Sequence, residues 1–338
     1  MRILIIKLGA IGDVLRTTSI LQGLKDKYSG CSIDWITKKG SADMLKGNKF
    51  IDNVFLIDGL KDGIKGKGYD LVISLDDEDE ACRIATDIGK KKVVGAYFDG
   101  DVKKYSPDSS EWFDMGLISR FGKEKADELK KENKKTYQQI ISGMLGIESS
   151  ELVLNLDDGE LKFAEKFAEK EGIGRKDLVV GLNTGAGGRW QLKKLSSEKS
   201  ARLADRLHEE LNAKVVLFGG QGEKERNENI KNLAKTDIID AGCDNSLREF
   251  ASLVGLCNVL VASDSLAMNI AIALKKKVVV FFGPTSSSEI EVYNRGRKVV
   301  APIECVCCYK KTCDVKPNCM DKLMVDDVFD SVKGCLSG

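Results

Sequence analysis

Short apolar runs rich in β-branched residues alternate, along the whole chain, with segments whose apolar residues recur every three or four positions. In the first half RILIIK, SIDWIT, NVFLID, DLVISL and KVVGAY predict strands. DVLRTTSILQGLKDKY and DEACRIATDIG predict helices between them. The stretch from 100 to 150 is more polar, and GKEKADELKKENKKTYQQIISGML predicts a charged helical excursion with a solvated face. A second series starts near Leu161, with strands DLVVGLN, KVVLFGG, DIIDA, NVLVAS and KVVVFFG. Its helices are KFAEKFAEKEG, SEKSARLADRLHEEL, KERNENIKNLA, SLREFASLVGLC and SLAMNIAIAL. Such alternation predicts an α/β fold with parallel sheets. Its repetition predicts two doubly wound, Rossmann-like domains facing across a cleft, 1–150 and 151–338, with a linker around 146–160. Open sheets of this kind bind ligands beyond the carboxyl ends of their strands, so those loops carry the candidate chemistry.

Length agrees, since 338 residues suffice for two domains of about 150–170 each. Fifty-three basic and 52 acidic side chains leave a net charge of +1, which gives no field to attract nucleic acid. No run of about 18 apolar residues predicts a membrane span. MRILIIKLGAIGD passes at once into glycines and an aspartate, and reads as a first strand rather than a signal peptide. A cytoplasmic protein is the expectation. The single histidine, His208 in ADRLHEELN, predicts a solvated helix position, which excludes a Ser-His-Asp triad and a multi-histidine zinc site.

After the first strand, Lys7-Leu-Gly9-Ala-Ile-Gly12-Asp13 opens a helix. A dinucleotide fingerprint is the obvious rival, and Asp34 near the end of the second strand imitates its ribose-binding acid. The third glycine is missing, however, and Asp13 places a carboxylate where the diphosphate would lie. A nicotinamide-dependent oxidoreductase is therefore disfavoured. Asp13 itself has two readings, as a helix N-cap or as a general base accepting a proton from a hydroxyl.

In the second half, Asn183-Thr184-Gly185-Ala186-Gly187-Gly188 follows a strand, and glycines there let backbone N–H groups approach an anion. Arg189, Lys193 and Lys194 follow with positive charge for a diphosphate. Gly219-Gly220-Gln221-Gly222-Glu223 is a second strand-to-helix turn, whose acid also suits the helix dipole. Ser263-Asp264-Ser265 and Gly283-Pro284-Thr285-Ser286 are a third and fourth, with hydroxyls suited to phosphate and sugar oxygens.

GDVLRTTSIL at 12–21, preceded by KLGAI, resembles the opening motif of glycosyltransferase family nine, the ADP-heptose–lipopolysaccharide heptosyltransferases. GLNTGAGGRWQLKKL, VVLFGGQGEKER, SDSLAMNIAIAL and FFGPTS continue the resemblance in the family's order. It implies a GT-B fold with the acceptor on the N-terminal domain and a nucleoside-diphosphate sugar, ADP-heptose above all, on the C-terminal one. It further implies an inverting, metal-independent transfer to a lipopolysaccharide core or related lipid-linked saccharide, with peripheral contact at the inner membrane. No cofactor is required beyond the sugar nucleotide. By resemblance Asp13 is the base and Lys193 neutralises phosphate, with Lys194 as fallback, while Glu223 meets the ribose. The donor-binding set is Thr184, Gly185, Lys193, Glu223, Ser263, Asp264, Ser265, Asn269, Gly283, Pro284 and Thr285. The acceptor-binding set is Lys7, Gly12, Arg16, Thr17 and Thr18. The chain departs from the family's Asp-Ser/Thr-Gly-Pro-Met-His at Asp264-Ser265-Leu266-Ala267-Met268-Asn269, where an amide that cannot carry charge replaces the histidine. That departure motivates the rival reading of an inert nucleotide- or saccharide-binding protein.

Two clusters compete for attention. Asp76-Asp77-Glu78-Asp79-Glu80 contains D-x-D, a divalent-metal pattern in another glycosyltransferase fold, but an acidic first helical turn is the favoured reading. Cys305, Cys307, Cys308, Cys313 and Cys319 crowd into fifteen residues. A structural zinc site at Cys305, Cys308, Cys313 and Cys319, a disulfide and free thiols all stay open.

Overall fold

Strand β1 (Arg2–Ile6) shows why its run of apolar residues extends. Ile3 and Ile5 point into one core cluster and Leu4 and Ile6 into another, all four fully buried. A parallel strand covered on both faces has no polar side, so alternation gives way to a continuous apolar run. The structure, a computed structural model, describes residues 1–60, 64, 68–187 and 191–337.

The chain divides into two compact units, Met1–Asn155 and Leu156–Gly338. In the first, β1 is joined by β2 (Ser32–Thr37), β3 (Asn53–Leu56), β4 (Tyr69–Ser74), β5 (Lys90–Asp99) and β6 (Val102–Tyr105). Their spatial order is β3-β2-β1-β4-β5-β6, parallel except for β6, which pairs antiparallel with β5. In the second lie β7 (Val179–Asn183), β8 (Lys214–Phe218), β9 (Ile239–Asp240), β10 (Val259–Ser263), β11 (Lys277–Phe282) and β12 (Gly296–Val300). Their order, β12-β11-β10-β7-β8-β9, repeats the first sheet's order with every pair parallel. Two doubly wound sheets are thus present, each reversing its winding between its first and fourth strands.

Three elements differ from the sequence expectation. The polar stretch ending in GML is not one helix: Gly122–Glu132 and Tyr137–Leu145 are separate, because Thr136 caps the second with a reciprocal Gln139 capping box. That second helix is core, with Tyr137, Ile140 and Ile141 buried against the β1 face. Strands β6 and β12 escaped notice because both are edges, half exposed, without a full apolar run.

At Gly95 in β5, φ is +114°, and a side-chain carbon would sit 1.8 Å from the Ser74 carbonyl oxygen. Only glycine lets β5 run so close to the end of β4. Among the described residues no helix is long and apolar enough to cross a membrane.

Candidate active site

In the first unit Ile6 pairs with Ser74, so the loops leaving β1 and β4 emerge side by side at the switch point. Asp76 joins them. Its carboxylate accepts the Lys7 ammonium, the Leu8 amide and, at 2.9 Å, the Gly9 amide. A side-chain carbon at Gly9 would lie 2.9 Å from Asp76 Oδ1 and 3.0 Å from Lys7 Nζ, so the turn closes only around a bare backbone. Lys7 is buried, which alone would lower its pKa, but the Asp76 and Asp13 carboxylates hold it well above the usual lysine range.

The turn feeds the helix Ile11–Thr17, whose N-cap is Ala10. Asp13 is therefore not the cap; it is the third helical residue, its side chain 37% exposed. Its Oδ1 lies 3.1 Å from Arg16 Nε one turn on. The Arg16 guanidinium sits 4.0 Å over the Tyr137 ring, and Trp112 meets Tyr137 edge-on. This stacking fixes the side chain that faces Asp13. Burial pushes the Tyr137 phenol up in pKa, opposed by Lys7 and Arg16.

The acceptor candidates fare differently. Thr17 is fully buried, donates to the Asp13 carbonyl oxygen at 2.7 Å and shares a 2.7 Å bond with the Tyr137 hydroxyl. Thr18 is equally buried, donating to Leu15 and accepting from Val153 N–H. Both hydroxyls are engaged within the first unit. Lys7 is paired with Asp76, and Gly12 is buried in the first turn. Arg16 lies beside Asp13. Asp34 is buried in β2 and accepts from Tyr69 Oη and Asn53 Nδ2, both at 2.8 Å, so it offers nothing to a ribose.

In the second unit the loops after β7, β8, β10 and β11 gather at the carboxyl edge. Thr184 is buried, its hydroxyl bonded to Asn227 Oδ1 at 2.6 Å and to the Phe218 carbonyl at 3.0 Å, so it ties the β7 and β8 loops together. Lys193 Nζ donates to the Asp264 carboxylate at 2.8 Å and to its carbonyl at 3.0 Å. Lys194 donates to Glu223 Oε1 at 2.7 Å, while Gly220 N–H donates to Oε2. Each lysine thus serves one of the predicted loops. Gly185 leaves room for Glu223, since a side-chain carbon there would lie 2.9 Å from its carboxyl carbon. Ser263 is buried at the end of β10, and Ser265 precedes the helix Leu266–Ala273. Asn269 is buried in that helix and donates to the Ser265 carbonyl at 3.4 Å. Gly188 and Arg189 lie outside the described residues.

Gly283, Pro284 and Thr285 follow β11 and are overlaid by the cysteine-rich loop, where Cys307 N–H donates to Gly283 and Tyr309 N–H to Pro284. Tyr309 Oη donates to Glu289 at 3.0 Å and accepts Ser286 N–H, and burial with that carboxylate drives its pKa far above the normal phenol value. All ten cysteines are free thiols, ranging from exposed Cys305 to buried Cys319. Among the described residues no three His, Cys, Asp or Glu side chains converge on a metal-sized point. The four-thiolate zinc site of Cys305, Cys308, Cys313 and Cys319 is therefore not formed. Asp79 and Glu80 do occupy a first helical turn, and Glu78 and Asp79 are paired with Lys38 and Lys103.

The sequence reading missed Asp76, which looked like part of an acidic helix start. Its place directly after the strand beside β1 was the available signal. Tyr137 and Trp112, in the stretch without motifs, gave none.

Two doubly wound α/β units, one presenting an acid on a glycine turn and the other lysines and amide turns, define a GT-B-type protein. Residues 58–318 match glycosyltransferase family 9 (heptosyltransferase), and the chain belongs to that family. It is 27% identical over 219 residues to lipooligosaccharide heptosyltransferase 2 of Campylobacter jejuni, a match covering 60% of this chain and 66% of that one. Its fold resembles a family 9 glycosyltransferase from Veillonella parvula, with TM-score 0.81 at 19% identity over 99% and 97% of the two chains. It also resembles Escherichia coli ADP-heptose lps heptosyltransferase II, with TM-score 0.70 at 17% identity over 100% and 99%.

Proposed function

We propose that the protein transfers a heptose-like sugar, with inversion and without a metal, from a nucleoside diphosphate (ADP-heptose in first place) to a lipid-linked saccharide of the lipopolysaccharide core type. The observation that carries this reading is the Asp13 carboxylate, partly exposed on the first unit's switch-point turn and not serving as its helix cap. In this reaction Asp13 takes the proton of an acceptor hydroxyl and the freed oxygen attacks the anomeric carbon. The bond from that carbon to the diphosphate breaks, and ADP leaves. Attack opposite the leaving group inverts the centre. Lys193, the Thr184–Gly187 turn and the loops after β8, β10 and β11 hold the donor and meet the charge on the departing diphosphate. Preorganised positive charge of this kind supplies a large share of rate enhancement. The lipid of the acceptor would place the protein peripherally at the inner membrane's cytoplasmic face. Membership of a heptosyltransferase family and likeness to an enzyme named for ADP-heptose support the choice of sugar nucleotide.

The test is release of ADP from ADP-heptose in the presence of a lipid A–Kdo acceptor and EDTA, with Asp13→Asn alongside. Turnover by the wild type and a loss of about 10³-fold or more in the variant is the expected result. Binding of ADP without turnover on this acceptor or related lipid-linked saccharides would favour the inert binding protein, for which Asn269 in place of histidine is the motivating residue.

A further inference from the structure

Lys7 and Asp76 are buried at 6% and 7% exposure, and the proposed transfer uses neither directly. Burying an ion pair costs desolvation that an apolar pair avoids, so stability is a weak reason for it. The geometry supplies a better one. The Asp76 carboxylate binds the ammonium and also the Leu8 and Gly9 amides, the two N–H groups that begin the turn leading to Asp13. Gly9 admits no side chain between them. Lys7 at the end of β1, Arg16 on its own helix and Tyr137 on the packed helix are among the groups whose charge reaches Asp13. Behind Lys7 stands Asp76. Two cations bearing on one carboxylate make it a weaker base, unless one is offset.

We propose that Asp76 is the positioning residue of the first unit's site. It fixes the Gly9–Asp13 turn through two amides, and it offsets the Lys7 charge so that Asp13 keeps its basicity. This inference rests on the reading of Asp13 as the base.

The test is the pH dependence of kcat/KM for ADP release from ADP-heptose with the lipid A–Kdo acceptor. Wild type, Asp76→Asn, Lys7→Met and the double variant are compared. Asparagine keeps an oxygen for the two amides but loses the charge. Asp76→Asn is expected to move the acid limb down by about one pH unit and lower the plateau, and Lys7→Met to move the limb up by about as much. The double variant, with local charge restored, returns the limb to the wild-type position. A purely structural pair would lower activity in both single variants with the limb unmoved, and that result overturns the proposal. If Asp76→Asn does not fold, Lys7→Met decides alone by the presence or absence of its upward shift. Activity surviving in Asp13→Asn would instead overturn the base reading itself, whereas an inactive Asp13→Asn with unmoved limbs removes only the role of Asp76.

Discussion

Lys193 and Lys194 are adjacent, similarly buried and each paired with a carboxylate, yet their removal should have opposite signatures. The Lys193 side chain is 9% exposed and its partner Asp264 24%, so Lys193→Met leaves behind an acid that water can still reach. The stability cost should stay near 1 kcal/mol. The chemical cost is larger, because one preorganised donor to a developing anion is worth about 3 kcal/mol, or a factor of 10²–10³ in kcat. Lys194→Met strands Glu223, whose side chain is 11% exposed and keeps only the Gly220 amide among the bonds described above. An uncompensated buried carboxylate costs about 3 kcal/mol. For a domain of this size that corresponds to a fall in Tm of roughly 6–12 °C. Calorimetry and ADP-release kinetics on the two variants give four numbers. The expected pattern is low kcat with near-normal Tm for Lys193→Met, and a clear Tm loss with a milder kinetic defect for Lys194→Met. Wild-type kcat in Lys193→Met, together with collapse of activity in Lys194→Met at unchanged Tm, would show that the lysine on Glu223 meets the diphosphate, and would refute the assignment.

Two further outcomes follow from the packing. Gly95→Ala forces a side-chain carbon onto the Ser74 carbonyl at a backbone angle few residues adopt. It should cost about 3 kcal/mol or more in urea denaturation, and an unchanged midpoint would mean that β4 and β5 do not approach as described. Glu160 is gripped by Arg248 through 2.7 and 2.6 Å contacts, which hold its carboxyl below the ordinary value of 4.5. A depressed carboxylate pKa adds stability that is present above about pH 4.5 and is lost as pH falls through the lower folded value. The second unit should therefore lose stability on acidification in that window, less steeply in Glu160→Gln; equal slopes in the two proteins would show that the pair does not carry the effect.

The repeated strand–helix alternation was enough to read two α/β halves, because parallel strands buried on both faces must be nearly continuous apolar runs. Edge strands β6 and β12 escaped for the converse reason: half-exposed strands need no such run. The glycine turns and the acid at position 13 were legible because a tight turn and a charged group leave few alternatives in residue type. The split after Glu132 was written in Thr136 and Gln139, a local capping signal masked by the surrounding charge.

Sequence alone determined the fold class and the residue types available in the loops after the strands. It did not determine which side chains those loops spend on one another. Thr17 and Thr18 bond to groups of their own unit, Asp76 looked like helix-start charge and grips the first loop, and four crowded cysteines do not converge. Each outcome depends on a partner distant in the chain, such as Tyr137 for Thr17, Val153 for Thr18 or Lys7 for Asp76. Backbone pattern is set by neighbours in sequence, whereas the fate of a polar group is set by what tertiary packing brings within hydrogen-bond reach.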